Sequence, residues 1–290
     1  MAKKSSGLST VTYLDSLHAN APKDVVDMKL SMQYGEECKY VTINFDQKKF
    51  PKGIELLHIT DVQFGHEQCN VEKFKEYCQW VLKEPNRFVF FGGDMVDAAT
   101  VLSIASPYEN TEEPQGQVYR FCEIANTIRH RVLGYVGGNH ERRSTKAFGD
   151  LGKLIAMLLR IPYSSGKQFI DINYGNHVPF KVTLHHGFSG SKTKGAKLNM
   201  VQSLAMQGDS HLYLVGHLHD FLMSANVRQR QLNGTVVLEE YAAAMSSSFL
   251  EHFGTYAEVS GMPAGTIKMW RTTLEPSGKW NMTARFGIQD

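Results

Sequence analysis

Residues 54–94 read IELLHITDVQFGHEQCNVEKFKEYCQWVLKEPNRFVFFGGD. A short apolar run, IELLHIT, leads into Asp61. A helix-period segment follows, with Val71, Phe74, Cys78, Val81 and Leu82 on one face, and a second apolar run, RFVFFGG, leads into Asp94. This is the pattern of a strand, helix, strand unit with a carboxylate at the end of each strand. In open α/β sheets the ends of the strands form the crevice where ligands bind, so the two aspartates are expected to be neighbours.

The alternation continues outward. RVLGYVGG, PFKVTLHH and HLYLVGH are further strand candidates, and Val118, Phe121, Ile124, Ala125 and Ile128 mark a second helix. LGKLIAMLLR predicts a third helix ending near Pro162, and AKLNMVQSLAMQ a fourth ending near Gly208. Past His219, FLMSANVRQRQ and TVVLEEYAAA flank Asn233-Gly234, a two-residue hairpin signal, and TIKMWRTTL and KWNMTARF read as terminal strands. Upstream, residues 1–25 are polar and read as an arm, while MKLSMQY and KYVTINF around GEEC suggest a hairpin. The expected division is an N-terminal arm and hairpin over residues 1–50 and an α/β domain over residues 51–290.

Composition narrows the possibilities. With 42% hydrophobic residues in 290, the chain can bury a large core, and disorder is excluded as its main state. The 31 Lys and Arg against 29 Asp and Glu leave a formal charge of +2, so no global basic footprint announces nucleic acid. The four cysteines form no CxxC pair, and no run of about 18 apolar residues is present. The expectation is a cytoplasmic protein without a membrane partner; its oligomeric state is not legible.

The chemistry lies at the ends of the strand runs. Asp61, Asp94, Asn139-His140, His186 and His217 each come directly after an apolar run or within two glycines of one, with His219 two residues further on. Two carboxylates, a carboxamide and three imidazoles form a mixed oxygen and nitrogen set that suits manganese, iron or zinc better than calcium. So many donors suit two divalent ions better than one. With only two carboxylates such a site stays net positive and attracts an anion such as a phosphate ester. Two ions side by side can acidify a bridging water and clamp both oxygens of an in-line displacement.

GGD at 92–94, GNHE at 138–141, HHG at 185–187 and GHLH at 216–219 resemble, in this order, the calcineurin-like metallophosphoesterase superfamily. The resemblance spans about residues 54–220. It implies an α/β fold, a four-layer αββα sandwich of two mixed sheets. It further implies that Asp94 bridges two divalent metal ions, that Asp61 and His219 serve the first, and that Asn139, His186 and His217 serve the second. His140 matches the family's non-ligand histidine, which stabilises the transition state and protonates the leaving alcohol. One departure stands out: the family's D-x-H reads Asp61-Val62-Gln63 here. Gln63 offers a neutral carbonyl oxygen in place of an imidazole, which weakens the first metal position and favours manganese or magnesium over zinc.

Several neighbours have plainer readings. His185 falls on the opposite side of its strand from His186, and Asp97 suggests a supporting or helix-capping role. His58 reads as a buried, hydrogen-bonded strand residue, and His66 as a loop residue within reach of the cluster. Arg142, Arg143, Lys192, Lys194 and Lys197 follow the metal motifs closely enough to grip a polyanionic substrate, with DNA or RNA the leading candidates. Tyr108 offers a surface for base stacking. The resulting expectation is a phosphodiesterase or nuclease. A phosphomonoesterase is the alternative, disfavoured because Ala98 and Ala99 stand where the protein phosphatase branch has Arg-Gly. A non-catalytic scaffold is the third reading.

Overall fold

The computed structural model describes residues 37–100, 107–146, 149–177, 179–188, 190–252, 258 and 266–286. In chain order the first half contains β1 (Tyr40–Phe45), β2 (Ile54–Ile59), α1 (Val71–Lys83), β3 (Arg87–Phe91), α2 (Pro114–Ala125), β4 (Val132–Val136), α3 (Asn139–Arg143) and α4 (Leu151–Leu159). The second half contains β5 (Tyr163–Ser164), β6 (Gln168–Tyr174), β7 (Phe180–His185), α5 (Lys194–Ala205), β8 (Leu212–Val215), β9 (Leu222–Leu232), β10 (Thr235–Met245), β11 (Lys268–Leu274) and β12 (Trp280–Phe286).

Local chemistry explains most boundaries. Asn70 Oδ1 accepts the Lys73 N–H at the start of α1, and Asp150 Oδ1 accepts the Lys153 N–H at the start of α4. Pro114 opens α2, where its missing N–H costs nothing. Asn233 and Gly234 both have positive φ (49° and 77°), as the tight turn joining β9 to β10 requires.

The strands form two six-stranded mixed sheets, ordered β1-β6-β7-β8-β10-β9 and β12-β11-β2-β3-β4-β5. β2, β3, β4 and β5 run parallel, and β7, β8 and β10 run parallel in the other sheet. Alternation along β2 and β3 sends Leu57, Ile59, Val89 and Phe91 against Phe74 of α1, Phe121 of α2 and Ile155 of α4. Leu56, Phe88 and Phe90 point the other way, onto Ile43, Ile170, Leu184, Leu214 and Ala244 of the facing sheet. On that sheet's far side Met200, Val201 and Leu204 of α5 cover Tyr213, Val215, Ala243 and Met245. The result is the expected four layers, helices on sheet on sheet on helix. Each fully buried aliphatic or aromatic side chain contributes about 1.5–3 kcal/mol.

Three details differ from the sequence reading. β1 pairs in parallel with β6, Ile43 opposite Ile172, so residues 38–50 belong to the sandwich and not to a preceding arm; the other half of the expected hairpin lies outside the described residues. The second helix ends at Ala125, and Asn126–Arg131 continues as a 3-10 turn that still buries Ile128. β6 had no clear signal because its first two residues invert the pattern, with polar Gln168 buried and Phe169 exposed. Among the described residues no helix is long and apolar enough to cross a membrane.

Candidate metal centre

The carboxyl ends of β2, β3, β4, β7 and β8 deliver polar side chains to one place. Asp61 and Gln63 follow β2, Asp94 follows β3, Asn139 and His140 open α3, His186 follows β7, and His217 and His219 follow β8. Asp61, Gln63, Asp94, His217 and His219 all have positive φ, between 48° and 76°, and make up five of the eight such non-glycine residues described. Each such backbone costs about 1 kcal/mol or more. Neighbouring strands hold it in place: the Asp61 N–H donates to Gly93 O and the Gln63 N–H to Asp94 O, both at 2.9 Å. Glycine makes the crowding possible at Gly138, where a Cβ would meet Asp94 Oδ1 at 1.9 Å, and at Gly216, where it would meet Thr60 Oγ1 at 2.1 Å.

Asp94, His186 and His217 each place a ligand atom within 4.8 Å of the others. His186 Nδ1 lies 2.9 Å from the Gly92 carbonyl oxygen, which can only accept, so Nδ1 carries the hydrogen and Nε2 the lone pair. That Nε2 faces Asp94 Oδ2 at 3.0 Å and Asn139 Oδ1 at 3.0 Å. Three acceptors turned on one another in a buried place need positive charge between them. A second proton on His186 is one source: burial pulls the imidazole down, but the Asp94 carboxylate outweighs it and holds the group up at about 9. A divalent cation is the other, and a carboxylate oxygen, an amide oxygen and an imidazole nitrogen are donors that fit one. Asp94 itself, despite burial, is held below the usual carboxylate range by His140 and His186.

Protein donors reach both aspartates: Asp94 Oδ1 accepts the His140 N–H at 2.8 Å. Asp61 Oδ2 accepts the Thr60 hydroxyl at 2.6 Å, and the His217 N–H donates to Oδ2 at 2.9 Å and Oδ1 at 3.1 Å. His219 Nε2 lies 3.3 Å from Asp61 Oδ1 and 3.2 Å from Gln63 Nε2. The same Gln63 nitrogen lies 3.3 Å from His140 Nε2. Burial raises the Asp61 carboxyl, and its bond to His219 more than offsets this and lowers it.

His140 is oriented from behind. Its Nδ1 lies 2.9 Å from both the side-chain and the carbonyl oxygen of Asp97, so it donates there, and its Nε2 is turned toward the cluster, 3.6 Å from Asp94 Oδ2. Burial opposes its charged form, yet Asp94 and Asp97 together raise it above the ordinary imidazole value. Asp97 is in turn held by Asn110 Nδ2 at 2.7 Å, the supporting role that the sequence suggests.

Glu141 has a part that sequence reasoning missed, although it ends the GNHE motif. Its fully buried carboxylate accepts the N–H groups of Asp94 (3.0 Å), Met95 (2.6 Å) and Gly138 (2.9 Å) and the Tyr135 hydroxyl (3.1 Å). It thereby ties the turn after β3 to the start of α3. Burial and the Asp94 charge push it up to about 7, against the four donors that favour its ionised form. The available signal was its position three residues after Gly138, where an acidic side chain reaches back to the start of a helix.

The remaining candidates spread out. Arg142 donates to Gly138 O and Ser165 O, and Arg143 acts on Asp97 and His140 through its charge. Lys192 and Lys194 are exposed before and at the start of α5. Lys197 is committed elsewhere, its Nζ 3.0 Å from Leu218 O and 3.2 Å from Asp220, so it braces the GHLH loop. His66 accepts the Gln68 N–H and pairs with Glu109 at 3.7 Å, outside the cluster. His185 accepts the Gly187 N–H, and buried His58 meets Ser246 Oγ at 2.9 Å. Tyr108 is 95% exposed, and Phe188, two residues after His186, is exposed as well.

No family model matches this sequence, and no curated protein matches it. Among solved structures, a single mutant of Vps29 from Entamoeba histolytica is 15% identical with a TM-score of 0.36, over 80% of this chain and 99% of that one. A conserved uncharacterized protein and predicted phosphoesterase from Streptococcus pneumoniae is 13% identical with a TM-score of 0.32, over 80% of this chain and 98% of that one. Likeness this distant says nothing about chemistry, which rests on the residues of the cluster.

Proposed function

We propose that this chain is a metal-dependent phosphoesterase of the calcineurin-like metallophosphoesterase superfamily, acting on phosphodiesters of the nucleic-acid kind. The observation that carries this reading is the convergence of buried Asp94 and His186 with half-buried Asn139, the Asp94 Oδ2 and Asn139 Oδ1 atoms each lying 3.0 Å from His186 Nε2. Asp94, Asn139, His186 and His217 would hold one divalent cation, and Asp61, Asp94 and His219 a second, with manganese favoured and magnesium, iron or zinc as substitutes. When bound, such ions acidify water and neutralise charge on a phosphoryl group.

The chain's own part in the reaction centres on His140. Asp97 holds its Nδ1 hydrogen, which leaves Nε2 facing the cluster, where burial opposes a second proton and the Asp94 and Asp97 charges favour it. A proton at Nε2 is placed to pass to a departing alkoxide oxygen. Arg143, whose charge acts on Asp97 and His140, supplies positive charge beside the cluster for a phosphate that flanks a scissile bond, and exposed Lys192 and Lys194 offer further charge on the segment after His186. Exposed Phe188 and Tyr108 offer faces on which bases can stack. A phosphoprotein substrate is disfavoured, because Ala98 and Ala99 are buried and bring no guanidinium to the site.

The test is hydrolysis of bis-p-nitrophenyl phosphate against p-nitrophenyl phosphate with manganese, with chelator and His140→Ala controls. Diester preference that collapses in both controls is expected. Monoester preference would favour a phosphatase instead, and absence of both activity and bound metal would remove the enzyme reading.

A further inference from the structure

We propose that Asn110 and Gln117 are positioning residues of the reaction: through a relay of two amides they hold Asp97 against His140 Nδ1, and so fix the ring that hands over the proton. This inference rests on the phosphoesterase reading and on the part it gives His140. The direction of each link follows from backbone groups, which do not titrate. Gln117, fully buried on α2, accepts the Ala98 N–H at its Oε1 (2.8 Å) and donates from its Nε2 to Glu112 O (2.9 Å). An N–H can only donate and a carbonyl oxygen only accept, so this amide cannot be turned over. Its Nε2 also donates to Asn110 Oδ1, which leaves Asn110 Nδ2 to donate to Asp97 Oδ2 at 2.7 Å. At the far end the Asp97 carbonyl oxygen, 2.9 Å from His140 Nδ1, keeps the ring hydrogen at that nitrogen, and Asp97 Oδ1 lies at the same distance.

The relay is built into the fold. A Cβ on Gly65, whose φ is 95°, would run into the Gln117 side chain, so the loop after β2 leaves room for this amide. The segment that carries Asn110 is bound to the same loop, by the Glu67 N–H to Glu109 O at 2.9 Å and the Thr111 N–H to Gly65 O at 2.8 Å. The Asp97 N–H donates to Phe64 O at 3.0 Å, which fixes the backbone of Asp97 but not its carboxylate. A carboxylate turns readily about the bond to its own Cβ, and a donor on Oδ2 stops that turn and keeps Oδ1 on the ring. Asn110 is that donor, on a half-buried residue whose side chain bonds Asp97 and Gln117. It acts on the reaction at one remove, through His140.

The experiment is a double-mutant cycle on the full chain, with manganese and bis-p-nitrophenyl phosphate, read as kcat and KM separately. Asn110→Ala should lower kcat by roughly 10-fold, less than the ~10²-fold expected of His140→Ala, with KM and metal content close to wild type. In the His140→Ala background the same substitution should change kcat by less than ~2-fold, since a residue that acts through the ring then has nothing to position. Asn110→Ser, which keeps a shorter donor, should lie between Asn110→Ala and the wild type. A second readout needs no turnover: in the metal-free chain, the His140 Nδ1–H signal of a proton–nitrogen correlation spectrum should exchange with water faster in Asn110→Ala. Equal loss in both backgrounds, no loss in either, an unchanged exchange rate, or a variant that no longer unfolds cooperatively in urea would overturn the relay and leave the phosphoesterase reading standing. A wild type without diesterase activity, or a His140→Ala as active as the wild type, would overturn the relay together with the part given to His140.

Discussion

The two ends of the cluster are built from the same residue types and differ in who satisfies them. At the Asp94, Asn139 and His186 end, Asp94 Oδ1 accepts the His140 N–H at 2.8 Å, while Asp94 Oδ2 and Asn139 Oδ1 each lie 3.0 Å from His186 Nε2, an arrangement that only a proton or a cation satisfies. At the Asp61 and His219 end, the Thr60 hydroxyl and the His217 N–H already supply hydrogens to Asp61. Ligand-type side chains at one place are therefore a weaker indication of a cation than the balance of donors and acceptors among them. A buried acceptor without a donor is costly, and that cost becomes affinity when a cation arrives.

The comparison can be broken most severely at Asp94, which both ends share. Asp94→Asn should lower diester hydrolysis by ~10³-fold or more, since a bound cation supplies several kcal/mol of transition-state stabilisation. Elemental analysis of the purified variant should find little metal at either end. Glu141→Ala should fall on the acceptor end through the fold, leaving three N–H groups and the Tyr135 hydroxyl without their acceptor. A loss of about 3 kcal/mol is expected in urea denaturation. His140→Ala should reduce turnover by ~10²-fold or more while metal content stays at the wild-type level, which separates proton delivery from ion binding. The smallest effect belongs to the donor end: Thr60→Val removes one hydrogen bond to Asp61 and should cost about 1 kcal/mol in stability. A larger metal loss in Thr60→Val than in Glu141→Ala would reverse the ranking of the two ends.

Much of this is legible in the sequence because strand ends announce themselves. Asp61, Asp94, Asn139, His186 and His217 are each preceded by an apolar run, and the convergence of the runs can be inferred from β2, α1 and β3 alone. The four layers come from the same alternation. The features that escape a sequence reading depend on contacts across the fold. β6 pairs with β1, more than a hundred residues earlier, and Gln168 is buried there with its Nε2 donating to Cys38 O, a compensation that no local pattern encodes. Lys197 looks like a substrate contact beside the HHG motif until Asp220 is found opposite it. Gln63 stands out in the sequence as a departure, but only the fold shows that its amide lies between two imidazoles, 3.3 Å from His140 Nε2 and 3.2 Å from His219 Nε2.

The cluster also straddles the seam between the sheets, with Asp94 carried by one and His186 by the other, 3.0 Å apart. Any cation bound there fastens two halves that must dock before the site exists, so it binds the folded chain and not the unfolded one. Mass action then converts occupancy into stability, about 2.7 kcal/mol at a free concentration a hundred times the dissociation constant. Manganese should raise the melting temperature and a chelator should lower it, even in His140→Ala, where turnover is lost. For this chain, ion supply would govern how much protein survives as well as how fast it works.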